Sequence, residues 1–278
     1  MFSTFLMNLL RLFAWLALLA AIFIPLERQW ARRRQKVFRG GFGTDLVYYF
    51  LSGVMPDILG IIPLTILAVI VHRIEPTGFY EWTAHLPMGV RLALALLVGE
   101  IGAYWGHRWS HEIPLLWRFH AIHHSSEHMD WLVSSRAHPV DKLVMRMAAL
   151  VPMFLLGLAQ PTGDQLDLVP AIVAVSSNAW GFLIHANVNW RLGWMESVLS
   201  SPAFHHWHHT NDDAIYLNKN YASMLPWIDR CFGTLYLPDK FPDHYGTDTP
   251  VPDDLSDQLL QPLMGEFADC PSKKLRSI

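Results

Sequence analysis

Apolar residues in this chain fall into long unbroken runs, and the charged residues gather in the gaps between them. A run of about 20 apolar residues in helical form crosses a hydrocarbon core of about 30 Å. The first run, residues 5–26, meets that length, and "RQWARRRQK" follows it with Arg28, Arg32, Arg33, Arg34 and Lys36. A secretory signal has the reverse order, basic residues first, so this run is expected to stay as an anchor. Basic flanks remain in the cytoplasm, which puts the N-terminus outside.

Four more runs follow. Residues 46–71 form a second span interrupted by Pro56 and Pro63, and residues 88–104 a third that ends at "WGHRWSH". Residues 143–158 and 169–184 form two further spans joined by "AQPTGDQLD", a loop without Lys or Arg. The fourth, with Arg146 near its start, and the second, with its prolines, are the weakest, so four to five crossings are expected. Inner segments then hold most of the basic residues, and the outer loops hold Arg73. The expected fold is all-α, an integral membrane protein with a cytoplasmic helical cap. Residues 1–86 would form the anchor, 87–240 the catalytic domain and 241–278 a tail, loose from Pro250 onward.

Composition agrees with the runs: 52% of residues are hydrophobic and 16% charged, against about 25% charged in a typical soluble domain. A net charge of -3 with its basic residues clustered leaves no nucleic-acid footprint. Cys231 and Cys270 are too few for a disulfide framework and read as free thiols.

The chemistry is in the histidines. His107 and His111 are spaced H-x3-H, while His120, His123 and His124 read H-x2-HH, and so do His205, His208 and His209. On a helix, positions three and four apart share a face, so each cluster aims its imidazoles one way. That is ligand spacing. The topology puts all three clusters, with His138 and His185, at the inner membrane surface. His72, His85 and His244 read as interfacial or surface groups, and His128 and His206 fall outside the repeat as surface or supporting residues. Eight clustered ligands exceed one ion's needs, so two ions are implied. Imidazole suits Zn, Cu, Fe and Ni. Spacing leaves open oxidative attack on a lipid, hydrolysis by two zincs, or metal handling. A transporter would carry ionisable groups at mid-membrane, and these spans are nearly bare of them.

The ordered motifs "HRWSH", "FHAIHH" and "FHHWHH", with "HHSSEHMDWLVSSRAHPVD" and "SPAFHHWHHTND" around them, resemble the fatty acid hydroxylase/sterol desaturase superfamily of integral-membrane di-iron oxygenases. The resemblance covers roughly residues 92–237. It implies two non-haem irons held by His107, His111, His120, His123, His124, His205, His208 and His209, with His138 and His185 as further ligands or close neighbours. It implies O2, a lipid substrate that is hydroxylated or desaturated, and an external electron donor of the cytochrome b5 or ferredoxin kind. The expected location is a bacterial inner membrane with the site at its cytoplasmic face.

A ligating histidine donates its other N–H to a carboxylate or carbonyl. Asp130, Asp141, Glu127, Asn187 and Asp212 are near enough in sequence to accept it. Glu100, two turns before His107, is either functional or a helix–helix hydrogen bond. Trp105, Trp109, Trp117, Trp131 and Trp207 are expected mainly as interface anchors.

Overall fold

A computed structural model describes residues 2–74, 77–159 and 168–265. Ten α-helices follow in chain order: α1 Phe2–Gln29, α2 Phe42–Ile74, α3 Thr77–Ala84, α4 Met88–Glu112, α5 Pro114–His124, α6 Pro139–Leu155, α7 Leu168–His185, α8 Pro202–His208, α9 Trp227–Phe232 and α10 Leu255–Met264. Among the described residues there is no strand, only two isolated bridges, Ala31 with Val188 and Thr210 with Tyr245.

Four of these helices, α1, α2, α4 and α7, are long and apolar enough to cross a membrane. Outward-facing Ile58, Ile61, Ile62, Ile66 and Val69 give α2 the apolar exterior that lipid contact requires. Helix α6, where a further span is expected, has 17 residues and is not among these four. It packs instead along α4 and α2. Pro56 and Pro63 lie inside a continuous α2. Arg91, near the start of α4, is buried.

Small residues let α4 and α6 approach closely. A methyl group built on Gly102 would overlap the Ala148 carbonyl oxygen, and one on Gly106 would lie 2.5 Å from the Ala148 side chain. Closely approaching backbones at small residues are the usual way apolar helices associate without a hydrophobic drive between them.

The cap helices begin where the sequence sets them. Pro114, Pro139 and Pro202 each open a helix in its first turn, where a missing N–H costs nothing. Ser201 caps α8 by accepting from the Phe204 N–H, and His138 caps α6 by accepting from the Val140 N–H. Asp130 accepts from the N–H groups of Leu132 and Val133 and starts the 3-10 turn Trp131–Ser135.

The anchor is bolted to the cap by buried charge. Arg39 contacts Asp45 at 2.7 Å and Asp130 at 2.6 Å, and Asp45 also pairs with Arg136. Glu27 accepts from the N–H groups of Trp131 and Asn187, while the Asn187 side chain bonds both backbone groups of Arg33. Leu19, Phe23 and Tyr49 of α1 and α2 share a core with Trp131, Leu132 and Val188.

The C-terminal segment is tighter than expected. Trp117 donates its indole N–H to Thr249, and α10 lies against α5 with Gln258 buried. Trp117, Trp131 and Trp207 are therefore core residues of the cap, whereas Trp109 is exposed. Cys231 is an exposed free thiol; Cys270 lies outside the described residues.

Gly102→Ala is expected to force α4 from α6 and to cost about 1–3 kcal/mol, read as a lower unfolding temperature in detergent. Gly89→Ala, with nothing within 4 Å of the added carbon, is the control and should be neutral or slightly stabilising. Equal effects would contradict the α4–α6 contact.

Candidate metal centre

Nine buried histidines converge from α4, α5, α7 and the α8 turn into two groups. His107, His111, His120, His124 and His208 form the first, and His123, His185, His205 and His209 the second; within each, the ligand atoms lie within 4.8 Å of one another. The groups adjoin, since the rings of His124 and His209 stack at 4.3 Å.

The split follows helical geometry. Residues four apart stay together: 107 with 111, 120 with 124, 205 with 209. The residue three after the first histidine of each H-x2-HH motif crosses to the other group, so His123 joins the second and His208 the first. Helices α5 and α8 thus each serve both groups, reciprocally. The 100° per residue of an α-helix separates positions three and four apart by a fraction of a turn, enough to aim neighbours at two different points.

Five of the nine rings are held by a hydrogen bond on the outer side. The Nδ1 atoms of His107, His123, His185 and His208 donate to the carbonyls of Tyr221 (2.7 Å), Arg136 (2.9 Å), Gly181 (2.7 Å) and Lys219 (2.8 Å). The Nδ1 of His120 meets both carboxylate oxygens of Asp141, the nearer at 3.1 Å. A carbonyl only accepts, so each of those Nδ1 atoms carries the hydrogen and Nε2 of the neutral ring is bare. The bare atoms point inward. Nε2 of His120, His124 and His208 is buried without a hydrogen-bond partner.

In the second group the consequence is sharper. The Nε2 atoms of His123 and His185 lie 3.2 Å apart, and His205 Nε2 lies 3.0 Å from His185 and 3.2 Å from His209. With both Nδ1 positions protonated, His123 and His185 direct two lone pairs at each other and have no hydrogen between them. Imidazoles sharing one ion through bonds of about 2.1 Å hold their nitrogens about 3.0–3.4 Å apart, so a cation resolves the contact. The donor set, all imidazole with one supporting carboxylate, fits a transition metal such as iron or zinc.

Burial dominates the electrostatics. It holds the imidazoles of His123, His124, His205, His208 and His209 well below the usual histidine range, and neighbouring histidines push the same way. The neutral, ligating form is thereby favoured. Asp141 is buried, yet its close contact and hydrogen bond with His120 hold its carboxyl below the ordinary value.

Other expected site residues are elsewhere. His138 is not brought to either group: its Nδ1 caps α6 and its Nε2 bonds the Leu259 carbonyl. Asp130 serves the Arg39 ion pair and the 3-10 turn, Asn187 ties the exit of α1, and Asp212 accepts from the Asp243 and His244 N–H groups. Glu127 is exposed, and Glu100 accepts from the Met224 N–H, a helix-to-loop tie. His206 is not a surface group. It is fully buried, with Nδ1 bonded to the Tyr245 hydroxyl and Nε2 to the Ala186 carbonyl, and burial takes it down to about 3.

The loop "NKNY" contributes more than its sequence announces. Asn218 and Asn220 both adopt left-handed backbone at φ 59, a conformation asparagine tolerates better than most residues. The alternation turns the carbonyls of Lys219 and Tyr221 toward His208 and His107. Asp229 fixes the loop from below by accepting from the N–H groups of Tyr221 and Ala222. The Tyr221 hydroxyl is buried without a partner, and its ring lies 5.2 Å from that of His111. Two asparagines two apart, nine residues after the last histidine cluster, are the signal that could have marked this loop.

Comparison with known proteins agrees with this geometry. The family described as fatty acid hydroxylase matches residues 92–234. The chain is 30% identical over 221 residues to an ornithine lipid hydroxylase of Rhizobium tropici, covering 78% of this chain and 62% of that protein. It is 32% identical to an alkylglycerol monooxygenase of Danio rerio, over 57% of this chain and 33% of that one. A Delta(7)-sterol 5(6)-desaturase of Gibberella zeae is 26% identical, over 57% of this chain and 45% of its own. The chain thus spans less than two thirds of each of these relatives, and no solved structure matches it significantly. Both histidine groups fall inside a family match that extends over more than half of the sequence, and the chain belongs to the fatty acid hydroxylase family.

Proposed function

We propose that this protein is a membrane-bound oxygenase that uses O2 and two electrons to hydroxylate or desaturate a lipid. One iron would be held by His107, His111, His120, His124 and His208, and a second by His123, His185, His205 and His209. The observation that carries this reading is the pair of bare Nε2 atoms on His123 and His185, 3.2 Å apart and aimed at one point. Neutral rings in that arrangement repel unless they share a cation. The names of the relatives, ornithine lipid hydroxylase, alkylglycerol monooxygenase and sterol desaturase, support a lipid substrate and oxygen chemistry. A pair of zincs doing hydrolysis is the alternative that the same donor atoms admit.

When bound, two irons supply the reduction of dioxygen and the removal of hydrogen from an unactivated C–H bond. The chain's own contribution is placement. Four carbonyls and Asp141 keep the protons of the ligand rings on the outer nitrogen, and burial keeps bulk water from the inner ones. We place residues 87–240 as the catalytic part, 1–86 as anchor and 241–278 as a tail. The basic run Arg28–Lys36 at the exit of α1 supports a cytoplasmic site in a bacterial inner membrane. A cytochrome b5-like or ferredoxin donor would reach it from that side.

Elemental analysis and Mössbauer spectroscopy of protein from iron-replete cells should find about two irons per chain, one per histidine group. His124→Ala and His123→Ala should each lower the count, from different groups, and His138→Ala should leave it intact. Two zincs instead of iron would end the oxygenase reading. With reductant and 18O2, a lipid extract should gain one labelled oxygen or lose two hydrogens; neither product from iron-loaded protein would end it too.

His206→Ala should keep the metal and lose stability. Removing that ring strands the Ala186 carbonyl and the Tyr245 hydroxyl, at about 1–3 kcal/mol, measurable as a lower unfolding temperature at unchanged iron content.

A further inference from the structure

The exit of α1 gathers charge that the fold does not use. A hollow of about 350 Å³ lies between the last turns of α1, the loop of residues 31–37, Phe42 at the start of α2, and Trp131 and Asn187 of the cap. Arg28, Arg33, Arg34 and Lys36 line it, and so do two acids, Glu27 and Asp130. None of the residues around it belongs to either histidine group.

Both acids are already engaged. Glu27 accepts from the N–H groups of Trp131 and Asn187, and Asp130 takes Arg39 with both carboxylate oxygens. Arg33 is also in use, donating to the carbonyls of Pro242 and Asp243. Arg28, Arg34 and Lys36 are exposed, and among the described residues their side chains make no hydrogen bond or ion pair. Even with Glu27 counted against these cations, the hollow keeps a positive balance. Its rim is built rather than trailing. Gln35 donates to the Met129 carbonyl at 2.9 Å, the Arg33 N–H donates to the Asn187 side chain at 3.0 Å, and Ala31 bridges to Val188.

Position says what sort of anion fits. Helix α1 is of membrane length and ends at Gln29, so the hollow opens where that helix leaves the lipid. Exposed Trp30 and Phe38 flank it, as aromatic residues do at a membrane surface. Ile24 and Phe42 give it an apolar side beside the basic one. We propose that this hollow seats the phosphate headgroup of one anionic phospholipid, held as a brace between α1 and the cap and not as a substrate. Guanidinium groups pair with phosphate through charge-assisted hydrogen bonds, and basic residues directly beyond a membrane helix attract anionic lipid. The volume is at the small end of the range for ligand sites, which suits one headgroup. The proposal stands apart from the oxygenase reading and does not rest on it.

The test needs neither metal nor turnover. The purified full chain in nonionic detergent is titrated with dioleoyl phosphatidylglycerol, with dioleoyl phosphatidylcholine, whose phosphate carries no net charge to the site, and with glycerol 3-phosphate. Native mass spectrometry counts bound molecules, and the rise in unfolding temperature reports occupancy. One phosphatidylglycerol per chain should be retained, at about tenfold lower concentration than phosphatidylcholine. Arg28→Gln, Arg34→Gln and Lys36→Gln should each weaken it about fivefold, and the triple variant should bind both lipids alike. Lys240→Gln, which removes an exposed cation outside the hollow, should change nothing. Val37→Trp fills the hollow and leaves its charges in place, so it too should lose the preference. Equal retention of the two lipids by the parent protein, or an unchanged preference in the triple variant, would overturn the proposal. A preference that survives in folded Val37→Trp would replace a seated lipid with diffuse surface attraction. Saturation by glycerol 3-phosphate at the concentration that suffices for phosphatidylglycerol would make the site one for free phosphate and overturn the lipid. The three exposed side chains make no hydrogen bond to lose, so the glutamine variants fold and decide the matter even if Val37→Trp does not.

Discussion

Two neutral imidazoles directing bare nitrogens at each other across 3.2 Å is an arrangement that a protein does not reach by chance. Each ring must be buried, must keep its one hydrogen on the far side, and must be prevented from rotating away. Much of the cap is organised to impose those three conditions. Carbonyls at Tyr221, Arg136, Gly181 and Lys219 and the carboxylate of Asp141 hold the outer nitrogens. None of these acceptors is free to move, because each belongs to a helix or to a loop that is itself pinned.

The pins reach far from the histidines. Arg136 presents its carbonyl to His123 while its side chain joins the buried cluster of Asp45, Arg39 and Asp130. Breaking a buried pair by removing one partner typically costs about 3–5 kcal/mol, so the beginning of α2 has a direct hold on the second histidine group. On the other side, Asp229 fixes the loop whose two left-handed asparagines aim carbonyls at His107 and His208. Close contact of α4 with α6 at Gly102 and Gly106 sets the helix that carries His107 and His111 against the one that carries Asp141. Membrane helices and cap thus form one mechanical unit around the centre.

Membrane placement and chemistry are linked by the same contacts. Helices α4 and α7 both have membrane length and both end in histidines of the two groups, His107 and His111 on one and His185 on the other. A lipid lying alongside those helices is therefore already close to the ring nitrogens.

Helix existence and the chemistry of the histidine clusters were legible in the sequence because both depend on local spacing. Apolar runs of membrane length and imidazoles three and four apart mark their elements without any tertiary information, and Pro114, Pro139 and Pro202 mark the helix starts. Tertiary packing decided which ring joins which histidine group. The chain order of "FHAIHH" does not say that His123 parts from His120 and His124, because that depends on the position of α8 across from α5. Packing also withdrew His138 to a helix cap, buried His206 behind the site, and gave Asp130 and Asn187 to the joints between anchor and cap. Sequence proximity to a ligand is a weak guide to contact with it. A side chain's partner is set by the elements that meet in space, and those meetings here join residues from 20 to 154 positions apart.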